Sequence, residues 1–363
     1  MIKFLDIYNQ DKNIHKKILN NIKNLFIKGD FILGDAVSKF EKKFSNYCDS
    51  KFAIGCANGT DALTLALISL NLPKKSEVII PAMTYCSTAF SVINANLKPV
   101  LVDIEYRKPT INIEEIKKKI TKKTKVIMPV HLYGSVVDIS KIKKIIGKKK
   151  IFIVDDCAQA HGAKDNRGRS VGSLSDISTF SLYPGKNLGS YGDAGIITTK
   201  HKSYFLKLRK LRNLGSIEKF KHDVVGMNSR LDTIQALILN EKIKNLEKYN
   251  YKRRKIASFY EKNINNKKIT KLIYSKNCVY HQYVILVNER EKFSKYLDKK
   301  EIQYGYHYPK CIHELDVFKR EKENKANKFP NSELISKKGI SLPIDPNLSI
   351  RDLKYICNII NEF

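Results

Sequence analysis

The 363-residue sequence lacks any apolar stretch of about 18 residues, the length that a membrane-spanning helix needs, so we expect no membrane span. Its first residues turn polar too early for a secretory signal. No internal repeat is apparent. The hydrophobic content of 42% and charged content of 28% are ordinary for a globular protein. These features predict a cytoplasmic protein, long enough for a large core and a smaller second domain.

Cysteine pairs of the Cys-x-x-Cys type are also missing, and the seven cysteines are odd in number. This pattern argues against a disulfide framework or a zinc ribbon, and it favours free thiols in a reducing compartment. Four potential ligands cluster near the C-terminal third: His307, Cys311, His313 and Glu314. Because their spacings fit no standard zinc pattern, we expect no metal site there.

Acidic residues are scarce, with 36 Asp and Glu against 67 Lys and Arg, a formal net charge of +31. Such an excess can indicate a nucleic-acid-binding protein. The lysines are spread along the whole chain, however, and no basic arm, zinc finger or RNA-binding signature appears. We therefore expect solvated basic surfaces and no nucleic-acid partner; a basic nucleic-acid-binding protein is the alternative from a different class.

A glycine-rich turn around Lys186 is the most informative feature present. A phosphate loop would need glycine five residues before the Gly-Lys pair and Ser or Thr directly after it, but Phe180 and Asn187 occupy these positions. Glycines on both sides allow a sharp turn and close approach of another group. Lys186 could then be a partly desolvated lysine that attacks a carbonyl and forms a Schiff base. The alternative is an exposed loop lysine.

An apolar run of strand type, Ile151–Val154, ends in two carboxylates, Asp155 and Asp156. Residues at the C-terminal ends of parallel strands line the ligand crevice. A carboxylate there can pair with a protonated pyridine nitrogen. We prefer Asp156 for this role, with Asp155 as the second choice, and Gln159 could hold a ring hydroxyl. The alternative is that both carboxylates only cap the next helix.

A short strand, a turn and a helix are predicted upstream, with the helix starting at Gly59, Thr60 and Asp61. The free N–H groups and the dipole of a helix N-terminus favour a phosphate there. Simple capping by Thr60 or Asn58 is the alternative. After the next strand comes Tyr85, whose ring could stack on a flat cofactor or pack in the core.

Strands and helices alternate between residues 51 and 199, which predicts an α/β fold with a mainly parallel sheet. A smaller α+β domain is expected after it. We place the large domain at residues 1–245 and the small domain at residues 246–363. The segments that define this organisation are four strands (Val78–Ile80, Val100–Val102, Val126–Val130 and Ile151–Val154), a helix over Arg230–Phe259, a strand over Val279–Val287 and a helix near Lys292–Lys300.

The motifs occur in the order that is typical of one family. The chain resembles the DegT/DnrJ/EryC1/StrS aminotransferases, which have the type I fold of pyridoxal-phosphate enzymes, and the similarity covers nearly the whole sequence. The motifs that carry it are Gly59–Leu63, Pro81–Tyr85, Pro129–Gly134, Asp156–Gly162, Ser181–Gly189, Gly226–Ala236 and Tyr306–Pro309.

The resemblance implies that Lys186 is the Schiff-base lysine for pyridoxal 5'-phosphate and moves protons during transamination, with pyridoxamine phosphate as the intermediate cofactor form. It implies that Asp156 faces the pyridine nitrogen and that Gln159 lies beside the ring hydroxyl. Related proteins that remove a sugar hydroxyl have histidine at the lysine position. Lys186 therefore favours an aminotransferase over a dehydratase.

The phosphate site is implied to include Gly59, Thr60, the backbone of Asp61, and Ser181. Tyr85 falls at the stacking position. Asn228 matches a residue that the neighbouring subunit supplies, which implies a homodimer with shared active sites.

The sequence resembles most closely the members that aminate C3 of a dTDP-linked 3-keto-6-deoxyhexose, with an amino acid, usually glutamate, as donor. His307, Tyr308 and Tyr183 are the expected substrate contacts. Amination at C3 of a UDP-linked 3-keto sugar ranks second, and amination at C4 of a 4-keto nucleotide sugar ranks third. The motifs leave these substrates open, because one substituent changes binding in a pocket by only about 1–3 kcal/mol.

Overall fold

A seven-stranded sheet forms the larger part of the protein in a computed structural model that describes residues 1–218, 220–319 and 328–363. Strands β2 to β6 run parallel, and β7 runs antiparallel to both of its neighbours, β1 and β6. The expected α/β fold with a mainly parallel sheet is confirmed. In spatial order the strands are β1 (Phe52–Cys56), β7 (Gly195–Thr199), β6 (Ile177–Ser181), β5 (Phe152–Asp156), β4 (Thr124–Ile127), β2 (Glu77–Pro81) and β3 (Lys98–Val102).

Apolar side chains on both faces of this sheet explain why its strands read as nearly continuous hydrophobic runs. Alternate residues of a strand point to opposite faces. Ile79 accordingly belongs to one buried cluster, whereas Val78 and Ile80 belong to the cluster on the other side. The helices that cover the faces or connect the strands are α1 (Ile7–Asp11), α2 (His15–Lys28), α3 (Asp35–Tyr47), α4 (Gly59–Ser69), α5 (Cys86–Asn94), α6 (Ile113–Lys119), α7 (Ile139–Ile146) and α8 (Lys202–Leu211).

A second, antiparallel sheet has its own apolar core. Its strands lie in the order β8 (Ile269–Lys271), β9 (Tyr283–Val287) and β10 (Gly339–Leu342). Ile2, at the other end of the chain, packs against this core. The division of the chain at residues 245 and 246 stays a prediction. The remaining helices are α9 (Thr233–Lys242), α10 (Leu246–Asn263), α11 (Arg290–Lys299), α12 (Asp316–Lys319), α13 (Pro330–Lys338) and α14 (Ile350–Glu362).

Several predicted elements have different bounds in the structure; the strand expected over Val126–Val130, for example, is β4 (Thr124–Ile127). The single helix expected over Arg230–Phe259 is divided into α9 and α10 by a short 3₁₀ turn at Ile243–Asn245. The strand expected over Val279–Val287 begins only at Tyr283. The backbone amides of Val279 and His281 bond instead to the carbonyls of Gly134 and Tyr133, at 3.3 and 2.9 Å. Tertiary contacts with the 132–134 turn therefore replace sheet pairing there.

Candidate active site

The C-terminal ends of the central strands bring most of the predicted site residues to one edge of the sheet. Asp156 ends β5 and Ser181 ends β6. Tyr85 lies between β2 and α5, and Gly59 opens α4 just after β1. In open α/β sheets this edge is where ligands bind. The chain order alone therefore assembles a candidate site at this edge.

Asp156 is buried and held by two hydrogen bonds. The Thr88 hydroxyl donates to Oδ2 at 2.9 Å, and the amide of Ala158 donates to Oδ1 at 3.0 Å. Burial raises the pKa of this carboxyl above its usual value; these two bonds and the positive charge of Lys186 oppose the shift. Asp156 is thus fixed in orientation and lies within electrostatic range of Lys186.

Lys186 lies in the glycine turn after β6, where its amide donates to the carbonyl of Tyr183 at 2.9 Å. Burial lowers the pKa of its ammonium from 10.5 to about 8, and the negative charge of Asp156 acts in the opposite direction. A lysine with this pKa is neutral in about a tenth of molecules at pH 7. That is the property a nucleophilic lysine requires.

The adjacent residue, Asn187, anchors the Lys186 turn to the rest of the protein. Its side-chain amide donates to Oδ1 of Asn250 at 2.9 Å and to the carbonyl of Val279 at 3.1 Å, and its Oδ1 lies 3.1 Å from Nδ1 of His281. The sequence suggested no such role for Asn187, because its partners are 63 and more residues away. The turn is therefore rigidly attached on the side of α10.

Gln159 is buried, and both ends of its amide are engaged. Oε1 accepts from the amide of Tyr133 at 2.7 Å, and Nε2 donates to the hydroxyl of Tyr308 at 2.8 Å. The ring of Tyr308 lies 5.3 Å from that of Tyr85, tilted by 43°. Tyr85 itself is 53% exposed. The structure therefore brings Gln159, Tyr308 and Tyr85 together, as expected for three residues of one site.

The start of α4 lies directly against Ser181. A Cβ atom on Gly59 would come within 2.6 Å of Cβ of Ser181, so only glycine allows this approach. Asn58 caps the helix by accepting from the amide of Asp61 at 2.8 Å. The hydroxyl of Thr60 is paired with Ser87 at 2.7 Å. Asn58 is therefore the N-cap residue of α4. Thr60 and Ser181 form a polar cradle at the helix N-terminus, which suits a phosphate group.

Of the other expected site residues, Tyr183 and His307 adjoin this group: the Tyr183 carbonyl accepts from the Lys186 amide, and the His307 ring lies 5.6 Å from that of Tyr308. Tyr183 is 58% exposed, and Asn228 is exposed on the loop before α9, where its backbone pairs with Asn213.

His307 is partly buried near Lys186. Its burial and, second, the positive charge of Lys186 lower its pKa to about 4, and its Nδ1 lies 2.8 Å from the Ser341 hydroxyl. Asp155 is directed elsewhere, with Oδ2 3.1 Å from Nε2 of His131.

His161 was not singled out as a functional residue from the sequence, although it belongs to the Asp156–Gly162 motif. It is fully buried, and its ring centroid lies 5.4 Å from that of Phe180. Burial and then the charge of Lys186 lower its pKa to about 3. His281 is likewise held neutral by burial and by Lys186. Lys186 therefore has neutral imidazoles around it.

Three of the potential metal ligands noted in the sequence, His307, His313 and Glu314, have hydrogen-bond or ion-pair partners for their side chains. His313 lies 3.4 Å from Glu333, and the amide of Cys311 donates to Glu314 at 2.7 Å.

A buried group of His131, Asp155 and Cys157 has ligand atoms within 4.8 Å of one another. There Nδ1 of His131 accepts from the amide of Val137 at 3.1 Å, so Nε2 carries the proton donated to Asp155. Hydrogen bonding accounts for this geometry.

The fold and these residues fit an aldehyde cofactor with a ring and a phosphate. They supply a lysine of lowered pKa, a buried carboxylate and a helix N-terminus at one edge of a parallel sheet, which defines the class of pyridoxal-phosphate enzymes. The chain belongs to the DegT/DnrJ/EryC1/StrS aminotransferase family, whose profile matches residues 12–361.

Individual relatives match over the full length. The chain is 40% identical to the dTDP-3-amino-3,6-dideoxy-alpha-D-galactopyranose transaminase of Aneurinibacillus thermoaerophilus, covering 100% of this chain and 99% of the relative. It is 35% identical to the UDP-N-acetyl-3-dehydro-alpha-D-glucosamine 3-aminotransferase of Acidithiobacillus ferrooxidans, covering 99% and 97%. Among solved structures, DesV of S. venezuelae superposes with a TM-score of 0.96 at 32% identity, covering 99% and 98%.

The cofactor of the family is pyridoxal 5'-phosphate. NtdA of Bacillus subtilis, solved with bound pyridoxamine phosphate, is 27% identical to this chain, with a TM-score of 0.91 over 99% of this chain and 84% of NtdA. All seven cysteines of the present chain are free. No helix in the three described ranges is both long and apolar enough to cross a membrane.

Proposed function

We propose that this aminotransferase moves an amino group from L-glutamate to the C3 ketone of a dTDP-linked 3-keto-6-deoxyhexose. The observation that carries the proposal is the full-length 40% identity to a transaminase that is named for a dTDP-3-amino-3,6-dideoxyhexose. The product would be a deoxyaminosugar nucleotide for glycan biosynthesis in the cytoplasm. Free thiols throughout the chain are in keeping with a reducing compartment.

Lys186 would hold the cofactor and would move the proton when freed from it. Pyridoxal phosphate supplies an electron sink that stabilises negative charge on the carbon next to the transferred nitrogen. The lowered pKa of Lys186 suits both roles, because the neutral amine is the nucleophile and also the base. Asp156 would keep the ring nitrogen protonated. Its two hydrogen bonds, from Thr88 and Ala158, fix it for this role.

The other residues would bind and orient the cofactor. The cradle of Gly59, Thr60, the Asp61 backbone and Ser181 suits the phosphate, because it combines a helix N-terminus with two hydroxyls, although the Asp61 amide is bonded to Asn58 and the Thr60 hydroxyl to Ser87 in this structure. Gln159 suits the ring hydroxyl, although its amide is shared with Tyr308 in this structure. Tyr85 would stack on the ring face.

A homodimer would complete the site through Asn228 of each subunit. Asn228 is exposed, and the loop that precedes it presents apolar side chains to the surface: Leu214, Ile217 and Val225, the last 95% exposed. Contiguous exposed apolar patches mark protein interfaces. Their position beside Asn228 supports a second copy of the chain as the occupant.

The second candidate is amination at C3 of a UDP-linked 3-keto sugar, with the glucosamine-type relative at 35% identity in its favour. A 4-keto nucleotide sugar, aminated at C4, is the third candidate. The three differ in the base, the ring substituents and the position of the ketone.

A substrate panel tests the proposal. The enzyme is incubated with L-glutamate labelled with ¹⁵N and with dTDP- and UDP-linked 3-keto or 4-keto sugars, and NMR locates the ¹⁵N in each product. We expect ¹⁵N at C3 of the dTDP sugar at the highest kcat/KM. The Lys186→Ala variant is the control for uncatalysed amination. Higher kcat/KM with a UDP-linked sugar, or label at C4, would transfer the assignment to the corresponding alternative.

A further inference from the structure

The first residues of the chain form a clasp, here Ile2–Asp6, against the C-terminal part of the protein. Ile2 pairs with residues 301–303 like a short parallel strand: its amide donates to the carbonyl of Glu301 at 2.7 Å, and its carbonyl accepts from Gln303 at 3.0 Å. The amide of Phe4 donates to the Gln303 side chain at 2.9 Å. One end of the clasp is therefore fixed to the backbone that leads to His307.

The other end of the clasp is fixed to a buried carboxylate. The amide of Asp6 donates to Oδ2 of Asp345 at 2.8 Å. The side chain of Asp6 forms a 2.8 Å ion pair with Lys3. This ion pair and the hydrogen bonds from Asn9 lower the pKa of the Asp6 carboxyl to about 2. Asp6 is thus ionised at neutral pH, and the clasp has attachments at both ends.

Phe4, in the middle of the clasp, covers the ring of His307. The two rings stack with centroids 5.9 Å apart and planes at 16°. Gly305 makes room for the imidazole, because a Cβ atom there would lie only 2.7 Å from Cε1 of His307, whereas Cζ of Phe4, at 3.5 Å, would be in ordinary contact. On another side, Nδ1 of His307 lies 2.8 Å from the Ser341 hydroxyl. The imidazole therefore lies between Phe4, the Ser341 hydroxyl and the ring of Tyr308, whose centroid is 5.6 Å away.

Leu5, the next residue, reaches the Lys186 turn. Its Cδ2 lies 3.8 Å from the position of a Cβ atom on Gly185, the residue before Lys186. Consecutive residues of the clasp thus lie beside two parts of the candidate site that are more than 100 residues apart in sequence. The clasp therefore connects the His307 segment with the Lys186 turn.

We propose that Phe4 is a positioning residue for sugar binding, which acts by holding the His307 ring beside Lys186. The inference rests on the proposed function, in which His307 contacts the ketosugar. Ser341 occupies Nδ1, so Nε2 is the ring nitrogen that His307 can offer to a sugar hydroxyl. Loss of the Phe4 ring would let the imidazole turn and would admit water beside it.

The test compares Phe4→Ala and Phe4→Leu with a matched control, Phe205→Ala. Phe205 is also partly buried and stacks on Phe52 at 4.5 Å and 17°, but it lies on α8, away from the site residues. With the substrate found in the panel, Phe4→Ala should raise the KM for the ketosugar about tenfold, with kcat changed by less than about threefold. Phe4→Leu should restore most of the affinity, and Phe205→Ala should leave KM unchanged.

A second measurement does not depend on activity. The apoprotein carrying labelled histidine is titrated by NMR, with the His307 resonance assigned from a His307→Gln variant. Burial and the Lys186 charge hold the His307 pKa near 4, so water admitted by Phe4→Ala should raise that pKa by about one unit or more. Lys186 is the charged group that acts on His307, and His281, which is neutral, is a second titratable neighbour; both are retained in these variants.

An unchanged His307 titration in Phe4→Ala, or an equal loss of sugar affinity in Phe205→Ala, would overturn the positioning role. If no ketosugar is aminated by the wild-type enzyme, the proposed function fails on that result alone. The NMR titration would still show in that case whether Phe4 holds His307, so the two failures are distinguishable.

Discussion

Replacing Asp156 with asparagine should change the pH at which Lys186 captures pyridoxal phosphate. Burial lowers the pKa of Lys186 from 10.5 to about 8, and Asp156 limits that fall by stabilising the ammonium. A pKa of about 8 leaves about a tenth of the amine neutral at pH 7, about 300-fold more than an ordinary lysine provides. Asp156→Asn removes the stabilising charge, so the pKa should fall further and the neutral fraction at pH 7 should rise.

Stopped-flow absorbance measures this directly. Apoenzyme is mixed with pyridoxal phosphate between pH 6 and pH 10, and the rate of covalent capture is followed in the visible band. For the wild type the rate should rise with pH to a plateau above an inflection near 8. For Asp156→Asn the inflection should lie at lower pH. Thr88→Val is the matched control, since it removes a hydrogen bond to Asp156 but retains the carboxylate charge.

A wild-type inflection near 10 would refute the claim that burial activates Lys186. An inflection that moves to higher pH in Asp156→Asn would refute the electrostatic coupling, because loss of a negative charge cannot stabilise an ammonium. A large shift in Thr88→Val would mean that the geometry of Asp156, more than its charge, controls the lysine.

Three further outcomes are expected. Lys186→Ala should abolish the visible band of the bound cofactor, and a band that persists in the absorbance spectrum would identify another lysine as the anchor. Gly59→Ala should weaken phosphate binding about tenfold in a cofactor titration, because its Cβ would meet Ser181 at 2.6 Å; Gly185→Ala, with 3.8 Å of clearance, is the control. Mixing Lys186→Ala subunits with Asn228→Ala subunits should restore some turnover if Asn228 acts across a dimer interface, whereas strictly additive loss would argue against shared sites.

Local sequence was sufficient for the elements whose signals lie within a few residues. The start of α4 at Gly59 follows from the Asn58 cap and the apolar run after it, and both are local. The parallel strands were predictable from short apolar runs alternating with helical stretches. The break at Ile243–Asn245 was not, because the apolar spacing continues across it without a helix-breaking residue.

The geometry of the site depended on contacts that no local pattern encodes. Thr88 bonds to Asp156 from 68 residues away, and Tyr308 bonds to Gln159 across 149 residues. Which of Asp155 and Asp156 faces the site also depends on a contact with a residue distant in sequence. Adjacent strand residues point to opposite faces, so only one of the two carboxylates can face the site. Asp155 is hydrogen-bonded to His131.

The order and chemical types of the motifs, and with them the family, the fold and the cofactor, were determined by the sequence alone, because each motif is a local signal. The tertiary structure decided how reactive Lys186 is and what surrounds it. Its lowered pKa arises from burial opposed by the charge of Asp156. Its turn is held by Asn187, and Leu5 of the clasp lies near Gly185. Burial and charge separation are properties of the packed chain, since both depend on residues that meet only after folding.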